Sequence, residues 1–351
     1  MVMSAVPYGS GHINDTFLMT LRKDDGSEGR VILQRMNKSI FKKPVELMEN
    51  IMGVTSFLRE RIIENGGDPE RETLNVIPTK QGDPYFVDSE GEYWRCYVFI
   101  ENARSYDQVE SPEDFYQSAV AFGNFQRLLA AYPAATLHET IEGFHDTKAR
   151  FAVFKKAVEE DVCGRAAEVQ KEIDFVLARE DVANVFGDLL MNGEVPLRVT
   201  HNDTKLNNVM IDDETHKGIC VVDLDTVMPG LAMNDFGDSI RFGASTAAED
   251  EKDLDKVWCD LELFDIYAKG FLESCGESLT AKEIEMLPMG AKVMTFECGM
   301  RFLTDYLQGD TYFKVHREGH NLDRCRTQFK LVADMEAKWD AMQDIIKKYC
   351  V

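Results

Sequence analysis

The stretch that decides the fold reads Leu197-Arg-Val-Thr-His-Asn-Asp-Thr-Lys-Leu-Asn-Asn-Val-Met-Ile-Asp-Asp-Glu-Thr-His-Lys-Gly-Ile-Cys-Val-Val-Asp-Leu-Asp225. It contains two short apolar runs, Val209-Met-Ile211 and Ile219-Cys-Val-Val222, separated by a polar turn. Two such runs around a turn predict a β-hairpin. If the runs pair, Asn208 and Asp223 lie almost opposite one another at the open end of the hairpin.

The loop that enters this hairpin brings His201, Asp203 and Lys205 to the same end. Phosphoryl transfer from a nucleotide needs oxygen ligands for Mg²⁺, a carboxylate to accept a proton, and a cation near the moving phosphate. The spacing fits the kinase catalytic-loop pattern His-x-Asp-x-x-x-x-Asn. It predicts Asp203 as the base and Lys205 as the γ-phosphate contact, with Asn208 and Asp223 as metal ligands. The alternative is a loop rich in Asn and Asp that merely forms turns.

Other short motifs compete with this interpretation. Asp235-Phe-Gly237 spells the metal-binding motif of protein kinases, but it lies well beyond the hairpin, so we expect Asp235 to cap a helix or brace the backbone. Asp223-Leu-Asp225-Thr226 is close to a phosphatase motif, but its threonine comes one residue early. An Asp-x-Asp pair alone is weak support for a glycosyltransferase. No Gly-x-x-x-x-Gly-Lys occurs, which excludes the P-loop class.

The first hundred residues have the pattern of short strands around one helix. Residues 14–21 alternate apolar and polar side chains, and strand-like runs recur at 30–35 and 93–100. A helix opening at Pro44 is predicted by one apolar stripe, formed by Leu47, Ile51, Val54, Leu58 and Ile62. After Asn102 the pattern becomes mainly helical, beginning with a serine cap at Ser111.

These patterns predict an α+β, two-lobed, protein-kinase-like fold. The small lobe, residues 1–101, combines an antiparallel sheet with one helix and covers the nucleotide. The larger lobe, residues 102–351, carries the catalytic segment and the substrate site. No repeat, low-complexity tract or Pro/Gly-rich linker separates them, so we expect a tight hinge.

The composition excludes several classes of function. The 351 residues include 39 Lys and Arg against 62 Asp and Glu, a formal charge of −23, which disfavours nucleic-acid or membrane-surface binding. No apolar run is long enough to span a bilayer, and the first residues lack the features of a signal peptide. The eight cysteines form no Cys-x-x-Cys pair. They indicate reduced thiols in a cytoplasmic protein.

The longer motifs make the chain resemble the aminoglycoside phosphotransferase and choline kinase superfamily, and within it the N-acetylhexosamine 1-kinases. The resemblance extends from about Tyr8 into the final helix. The segments that carry it are Tyr8-Gly-Ser-Gly-His-Ile-Asn14, Leu197–Asn208, Asp223–Thr226, Asp235–Thr246 and Glu297-Cys-Gly-Met-Arg-Phe-Leu303. It implies ATP-dependent, Mg²⁺-dependent phosphorylation of the anomeric hydroxyl of N-acetylglucosamine or N-acetylgalactosamine.

The same resemblance implies a set of sugar-binding residues. These are His12, Phe242, Arg301 and Tyr312, together with the base Asp203. An aromatic ring can stack on a pyranose, while arginine, tyrosine and histidine can donate hydrogen bonds to its oxygens. The alternatives are a core role for Phe242, an internal ion pair for Arg301 and a turn role for His12.

A second set of residues is expected to contact the nucleotide. Glycines in the turn after Tyr8 would lie over the phosphates, and residues near the lobe boundary would contact the rest of the nucleotide. The members of this set are Gly9, Gly11, Gln34, Arg35, Phe99 and Glu101. Most kinase-like folds have a lysine at the position of Gln34, so the cation that clamps the phosphates is open, with Arg35 as a candidate.

Two other functions remain as alternatives. The acidic composition suits a kinase for a cationic substrate such as choline or an aminoglycoside, although Arg301 fits an uncharged substrate better. A catalytically inactive kinase-fold scaffold is a further alternative, but it would have no need of the complete polar set in the hairpin. Small-molecule substrate and ATP are the expected partners, and the sequence indicates no protein partner.

Overall fold

The computed structural model describes residues 1–9 and 13–350. Gly11 and His12, two of the predicted site residues, therefore lie outside the described part of the chain. Along the described residues an antiparallel sheet comes first and a mainly helical region follows. The α+β architecture predicted from the sequence is confirmed, whereas the lobe boundary at residue 101 stays a prediction.

The N-terminal sheet has five antiparallel strands in the order β1-β2-β3-β5-β4. Residues of β2 and β3 pair over their full length, from Asp15 opposite Arg35 to Arg22 opposite Glu28. The strands are β1 Val2–Pro7, β2 Asp15–Arg22, β3 Glu28–Arg35, β4 Phe86–Val87 and β5 Tyr93–Val98. Because β5 pairs with β3, side chains from distant parts of the sequence meet on one face of the sheet.

One long helix, α1 Pro44–Glu64, interrupts the sheet and is followed by the short helix α2 Pro69–Glu72. Proline opens α1 at its first turn, where the missing N–H costs nothing. All five residues of the predicted apolar stripe are buried. They belong to a hydrophobic cluster that also contains Phe122, Val209 and Val221, so this core includes residues from both sides of residue 101.

The rest of the chain is built mainly of helices around a second, larger hydrophobic cluster. The helix beginning at Pro112 has the predicted serine cap, because Ser111 and Asp114 form a reciprocal capping box. The helices are α3 Pro112–Leu128, α4 Thr147–Glu160, α5 Gln170–Leu177, α6 Glu180–Met191, α7 Ala232–Gly243, α8 Leu261–Cys275, α9 Ala281–Glu285, α10 Leu287–Leu307, α11 His320–Ala337 and α12 Trp339–Lys348.

Two small antiparallel sheets in this half hold the segment Leu197–Asp225. One has the order β6-β8-β9 and the other pairs β7 with β10. Their strands are β6 Ala103–Arg104, β7 Arg198–Thr200, β8 Val209–Asp212, β9 Gly218–Val221 and β10 Met228–Gly230. None of the helices described within residues 1–9 and 13–350 is long and apolar enough to cross a membrane.

Candidate active site

A large cavity lies between the five-stranded sheet and the helical region, with a volume of about 920 Å³. Its walls include most of the described residues that the sequence predicted for the site. Those that line it are Gly9, Gln34, Phe99, Asp203, Lys205, Asn208, Asp223, Phe242 and Arg301. The structure thus brings together residues separated by nearly three hundred positions in the sequence.

The predicted hairpin forms from β8 and β9, with Val209 opposite Val221. The N–H of Val222 donates to the Asn208 carbonyl at 2.9 Å, so Asp223 follows immediately at the open end. Asn208 Nδ2 donates to the backbone oxygen of Asp203 at 2.8 Å and lies 3.3 Å from Asp203 Oδ2. The structure therefore brings Asp203, Asn208 and Asp223 together at the open end of the hairpin, as the sequence predicted.

Lys205 completes this group. Its Nζ atom lies 2.7 Å from Asp203 Oδ1, so the ammonium and the carboxylate form an ion pair on the cavity wall. Burial opposes the charge on Lys205, but the nearby Asp203 carboxylate more than compensates and raises the pKa of the amine. The cation is therefore present throughout the physiological pH range.

Three non-glycine residues of the segment Leu197–Asp225 adopt left-handed backbone conformations: His216 in the hairpin turn, and two residues at the site. Asn202 has φ +64° and Asp223 has φ +58°, values that are uncommon outside glycine and most accessible to Asn and Asp. Strained backbone of this kind persists where surrounding contacts hold it, and it clusters at functional sites. The two bends lie directly beside Asp203 and at Asp223 itself, where they set the direction of the polar side chains.

The carboxylates of Asp223, Asp225 and Asp203 repel one another, and a bound cation would reduce this repulsion. Burial raises the pKa of Asp223 to about 6, and repulsion from Asp225 and Asp203 adds to the rise, while Arg95 opposes it. Asn208 and Asp223 together offer the amide and carboxylate oxygens that Mg²⁺ prefers. Among the described residues no group of three or more His, Cys, Asp or Glu side chains could hold a metal.

The motif Asp235-Phe-Gly237 has a structural role at every position, as expected for Asp235. The Asp235 carboxylate accepts hydrogen bonds from the backbone N–H groups of His201 at 2.9 Å and Asn202 at 2.8 Å, and from Gln126 Nε2 at 2.7 Å. Phe236 is fully buried. At Gly237 a Cβ would collide with the Gly290 carbonyl, so this glycine allows α7 and α10 to approach closely.

A protein-family model matches the part of the sequence that forms most of this site. The model described as APH, the phosphotransferase enzyme family, matches residues 4–263. The chain belongs to the phosphotransferase enzyme family. Family membership and the site geometry agree, because the match includes the whole hairpin and the sheet above it.

Solved structures of similar fold extend the comparison to the rest of this phosphotransferase. An aminoglycoside phosphotransferase from Alicyclobacillus acidocaldarius superposes with a TM-score of 0.63 at 11% identity, covering 99% of this chain and 93% of that one. A microcompartment-associated aminopropanol kinase gives 0.56 at 15% identity, covering 97% and 93%. A choline kinase from Cryptosporidium parvum gives 0.56 at 14% identity, covering 97% and 91%. At these identities the likeness shows the fold.

On the sheet side of the phosphotransferase cavity, Gln34 and Arg35 point in opposite directions. Gln34 lines the cavity, as predicted. Arg35 does not, because its guanidinium is paired with Asp15 on the other face of β3 and is 44% exposed. The basic side chain that lies beside Gln34 is instead Arg95 of β5, which the sequence analysis missed.

Phe99 and Glu101, the two residues near the lobe boundary that were predicted to contact the nucleotide, also differ in their positions relative to the cavity. Phe99 lines the cavity, with the Tyr8 ring 5.9 Å away edge-on. The Arg30 guanidinium lies 4.2 Å from the centre of the Phe99 ring and pairs with Glu101. The Glu101 carboxylate is half exposed and does not line the cavity, so the structure does not bring it to the site.

The opposite wall contains the predicted sugar-binding residues. Phe242 at the end of α7 is 37% exposed and Arg301 comes from α10; both line the cavity. Tyr312 lies at its edge, 70% exposed, with its hydroxyl 3.5 Å from Arg301 Nη2. Tyr312 therefore contacts Arg301 but is not itself part of the cavity wall in this structure.

Two polar residues of this wall were not predicted. His145 lines the cavity, and its Nδ1 lies 3.0 Å from Oε1 of the buried Glu297. Burial raises the pKa of Glu297, but His145, Arg150 and Arg301 outweigh it and lower that pKa to about 2. Glu297 opens one of the segments that carried the family resemblance, which was a signal for it. His145 has no motif, so nothing in the sequence marked it.

Proposed function

We propose that this phosphotransferase transfers the γ-phosphoryl group of ATP to the anomeric hydroxyl of N-acetylglucosamine or N-acetylgalactosamine. The observation that carries the proposal is the shared cavity. Its walls include Gln34 and Phe99 from the sheet, Asp203 from the loop before the hairpin, and Arg301 from α10. A nucleotide under the sheet and a sugar against the arginine would both reach Asp203.

The chemistry follows from the groups at the junction. The Asp203 carboxylate accepts the proton of the sugar hydroxyl as its oxygen bonds to the γ-phosphorus, and the bond to the bridging oxygen breaks to release ADP. The Lys205 ammonium, ion-paired with Asp203, places positive charge near the phosphoryl oxygens. A magnesium ion bound to Asn208 and Asp223 would neutralise charge on the phosphate oxygens.

The cavity wall supports a neutral, oxygen-rich acceptor. Arg301 forms no ion pair with a carboxylate of the described residues, so its guanidinium N–H groups are available to donate hydrogen bonds to the oxygens of an acceptor. The partly exposed Phe242 ring supplies a flat apolar surface of the kind on which sugars stack. The sequence resemblance to the N-acetylhexosamine 1-kinases agrees with both features.

A kinase for a cationic acceptor is the second candidate. The formal charge of −23 would attract cations, and the structures of similar fold are named for aminopropanol, choline and aminoglycosides. Against it, the guanidinium of Arg301 lines the cavity and its charge would repel an amine, whereas Arg241 and Arg324 are paired with Asp238 and Glu249.

The test is ADP release from Mg·ATP with a panel of acceptors. The panel contains N-acetylglucosamine, N-acetylgalactosamine, glucose, galactose, choline and an aminoglycoside, and phosphorus NMR locates the new phosphate. We expect turnover on an N-acetylhexosamine with an anomeric phosphate. Turnover on the amines alone would overturn the proposed acceptor, and silence across the panel despite ATP binding would favour an inactive scaffold.

Arg301→Met is expected to raise the KM for the N-acetylhexosamine about 10–100-fold, because the acceptor loses a charged hydrogen-bond donor. The KM for ATP is expected to stay within about twofold. Steady-state kinetics with each substrate varied separately measures both. Arg326→Met is the matched control, since that arginine pairs with Glu172 outside the cavity. An equal rise in both KM values would contradict an acceptor-specific role for Arg301.

A further inference from the structure

A buried ion pair connects the sheet to the turn that carries Asp223. Arg95 of β5 lies opposite Gln34 of β3 and donates from Nε to Gln34 Oε1 at 3.0 Å. Its Nη1 lies 2.5 Å from Asp225 Oδ1. The other oxygen of Asp225 accepts from Asn14 Nδ2 at 2.6 Å. Two residues of the N-terminal region, Arg95 and Asn14, thus contact the Asp225 carboxylate, and Gln34 contacts Arg95.

This ion pair is costly to bury. The side chains of Arg95 and Asp225 are 1% and 4% exposed. Removing two charges from water has a large free-energy cost, which their attraction only partly recovers, so such a pair is weak support for a purely stabilising role. A buried pair that adds little stability can still fix the relative position of two structural elements.

The location of the pair indicates which elements it fixes. Asp225 lies in the single turn of 3₁₀ helix, Leu224–Thr226, that directly follows Asp223. Movement of the Asp225 carboxylate would therefore move the Asp223 backbone, which already has a strained left-handed conformation. Among the described residues up to 101, Arg95 is the cation that lines the cavity.

We propose that Arg95 is a positioning residue that acts through Asp225: it holds the Asp223 turn at the distance from the sheet that a nucleotide phosphate and a divalent cation require. Gln34 orients the guanidinium, and Asn14 holds the second oxygen of Asp225. The inference rests on the proposed nucleotide chemistry, because it assigns Arg95 to the metal-dependent part of ATP binding.

The test is Arg95→Met, with ATP affinity measured by isothermal titration calorimetry in Mg²⁺ and again in EDTA. We expect the wild-type protein to bind ATP more tightly with Mg²⁺. In the variant, the increase in ATP affinity caused by Mg²⁺ is expected to be about 10–100-fold smaller. This is the range found when a residue supporting a metal ligand is removed. Adenosine, which has no phosphate, is expected to bind within about threefold of the wild-type affinity.

Rescue separates positioning from general destabilisation. Gln34→Lys in the Arg95→Met background returns a cation to the position beside residue 95 on the cavity wall and is expected to restore most of the Mg²⁺-dependent gain. Arg104→Met removes the exposed Arg104–Asp213 pair and is the matched control, expected to match the wild type. If Arg95→Met is insoluble, Arg95→Lys keeps the charge and is expected to show a smaller loss of the same gain.

The possible outcomes discriminate between the explanations. A variant that keeps the full Mg²⁺-dependent gain would overturn the role of Arg95. A parallel loss of ATP affinity in Mg²⁺, ATP affinity in EDTA and adenosine affinity would also overturn it, since that pattern indicates only a folding defect. Wild-type protein without Mg²⁺-dependent ATP binding would refute the proposed function itself, and the inference with it.

Discussion

Replacement of Asp203 by asparagine is expected to lower kcat for phosphorylation of the acceptor about 1000-fold, while ATP affinity stays within about threefold of the wild-type value. Asparagine keeps the size of the side chain but replaces one of the two carboxylate oxygens that face Lys205 and Asn208 by an amide NH2 group, and it cannot accept the proton of the attacking hydroxyl. In the proposed function, the nucleotide would be bound by the sheet side of the cavity and by Asn208 and Asp223, which line the cavity and which the substitution leaves in place. Steady-state kinetics and titration calorimetry measure the two quantities.

Asp213→Asn is the matched control for this experiment. Asp213 immediately follows β8, and its carboxylate pairs with Arg104 away from the cavity. We expect its kcat to match the wild-type value, since exposed ion pairs contribute little. If Asp203→Asn retained more than about a tenth of the wild-type kcat, Asp203 would not be the catalytic base.

Asp235→Ala is expected to lower the free energy of unfolding by about 3–5 kcal/mol. Burial raises the pKa of Asp235, while hydrogen bonds from His201 and Asn202 oppose the rise. Removal of the carboxylate leaves these two backbone donors and Gln126 Nε2 without that acceptor in the protein interior. Chemical denaturation followed by circular dichroism measures the change.

The same experiment separates a bracing acid from a metal ligand. Asp344→Ala, which removes an exposed acid paired with Lys347, is the control and is expected to change stability by less than about 1 kcal/mol. If Asp235→Ala were as stable as the wild type but lost Mg²⁺-dependent ATP binding, Asp235 would be a metal ligand. The role derived from its hydrogen bonds would then be wrong.

Local features of the fold could be predicted because they depend on residues close together in the sequence. The stripe from Leu47 to Ile62 follows the helical period, and every member is buried in α1. The cap at Ser111 needs only the acid three residues later. The hairpin needs two apolar runs and a turn, and it brings Asn208 beside Asp223 through local pairing alone.

Residues that act through distant partners were harder to find. Alternation along β3 predicts that Gln34 and Arg35 face opposite sides of the sheet, but it does not reveal which side covers the cavity. That depends on the pairing of β3 with β5, whose residues lie about sixty positions further along. For the same reason the contact of His145 with Glu297, 152 residues away, left no pattern in the sequence.

The amino-acid sequence by itself determined the catalytic hairpin, the helix of the N-terminal region and the acidic, lysine-containing loop, since spacing and periodicity encode contacts between near neighbours. The tertiary structure decided which cation faces the cavity, that Asp235 braces the loop of His201, and that Tyr312 lies at the edge. Each of these outcomes depends on which distant surfaces pack together, and packing is a property of the whole chain.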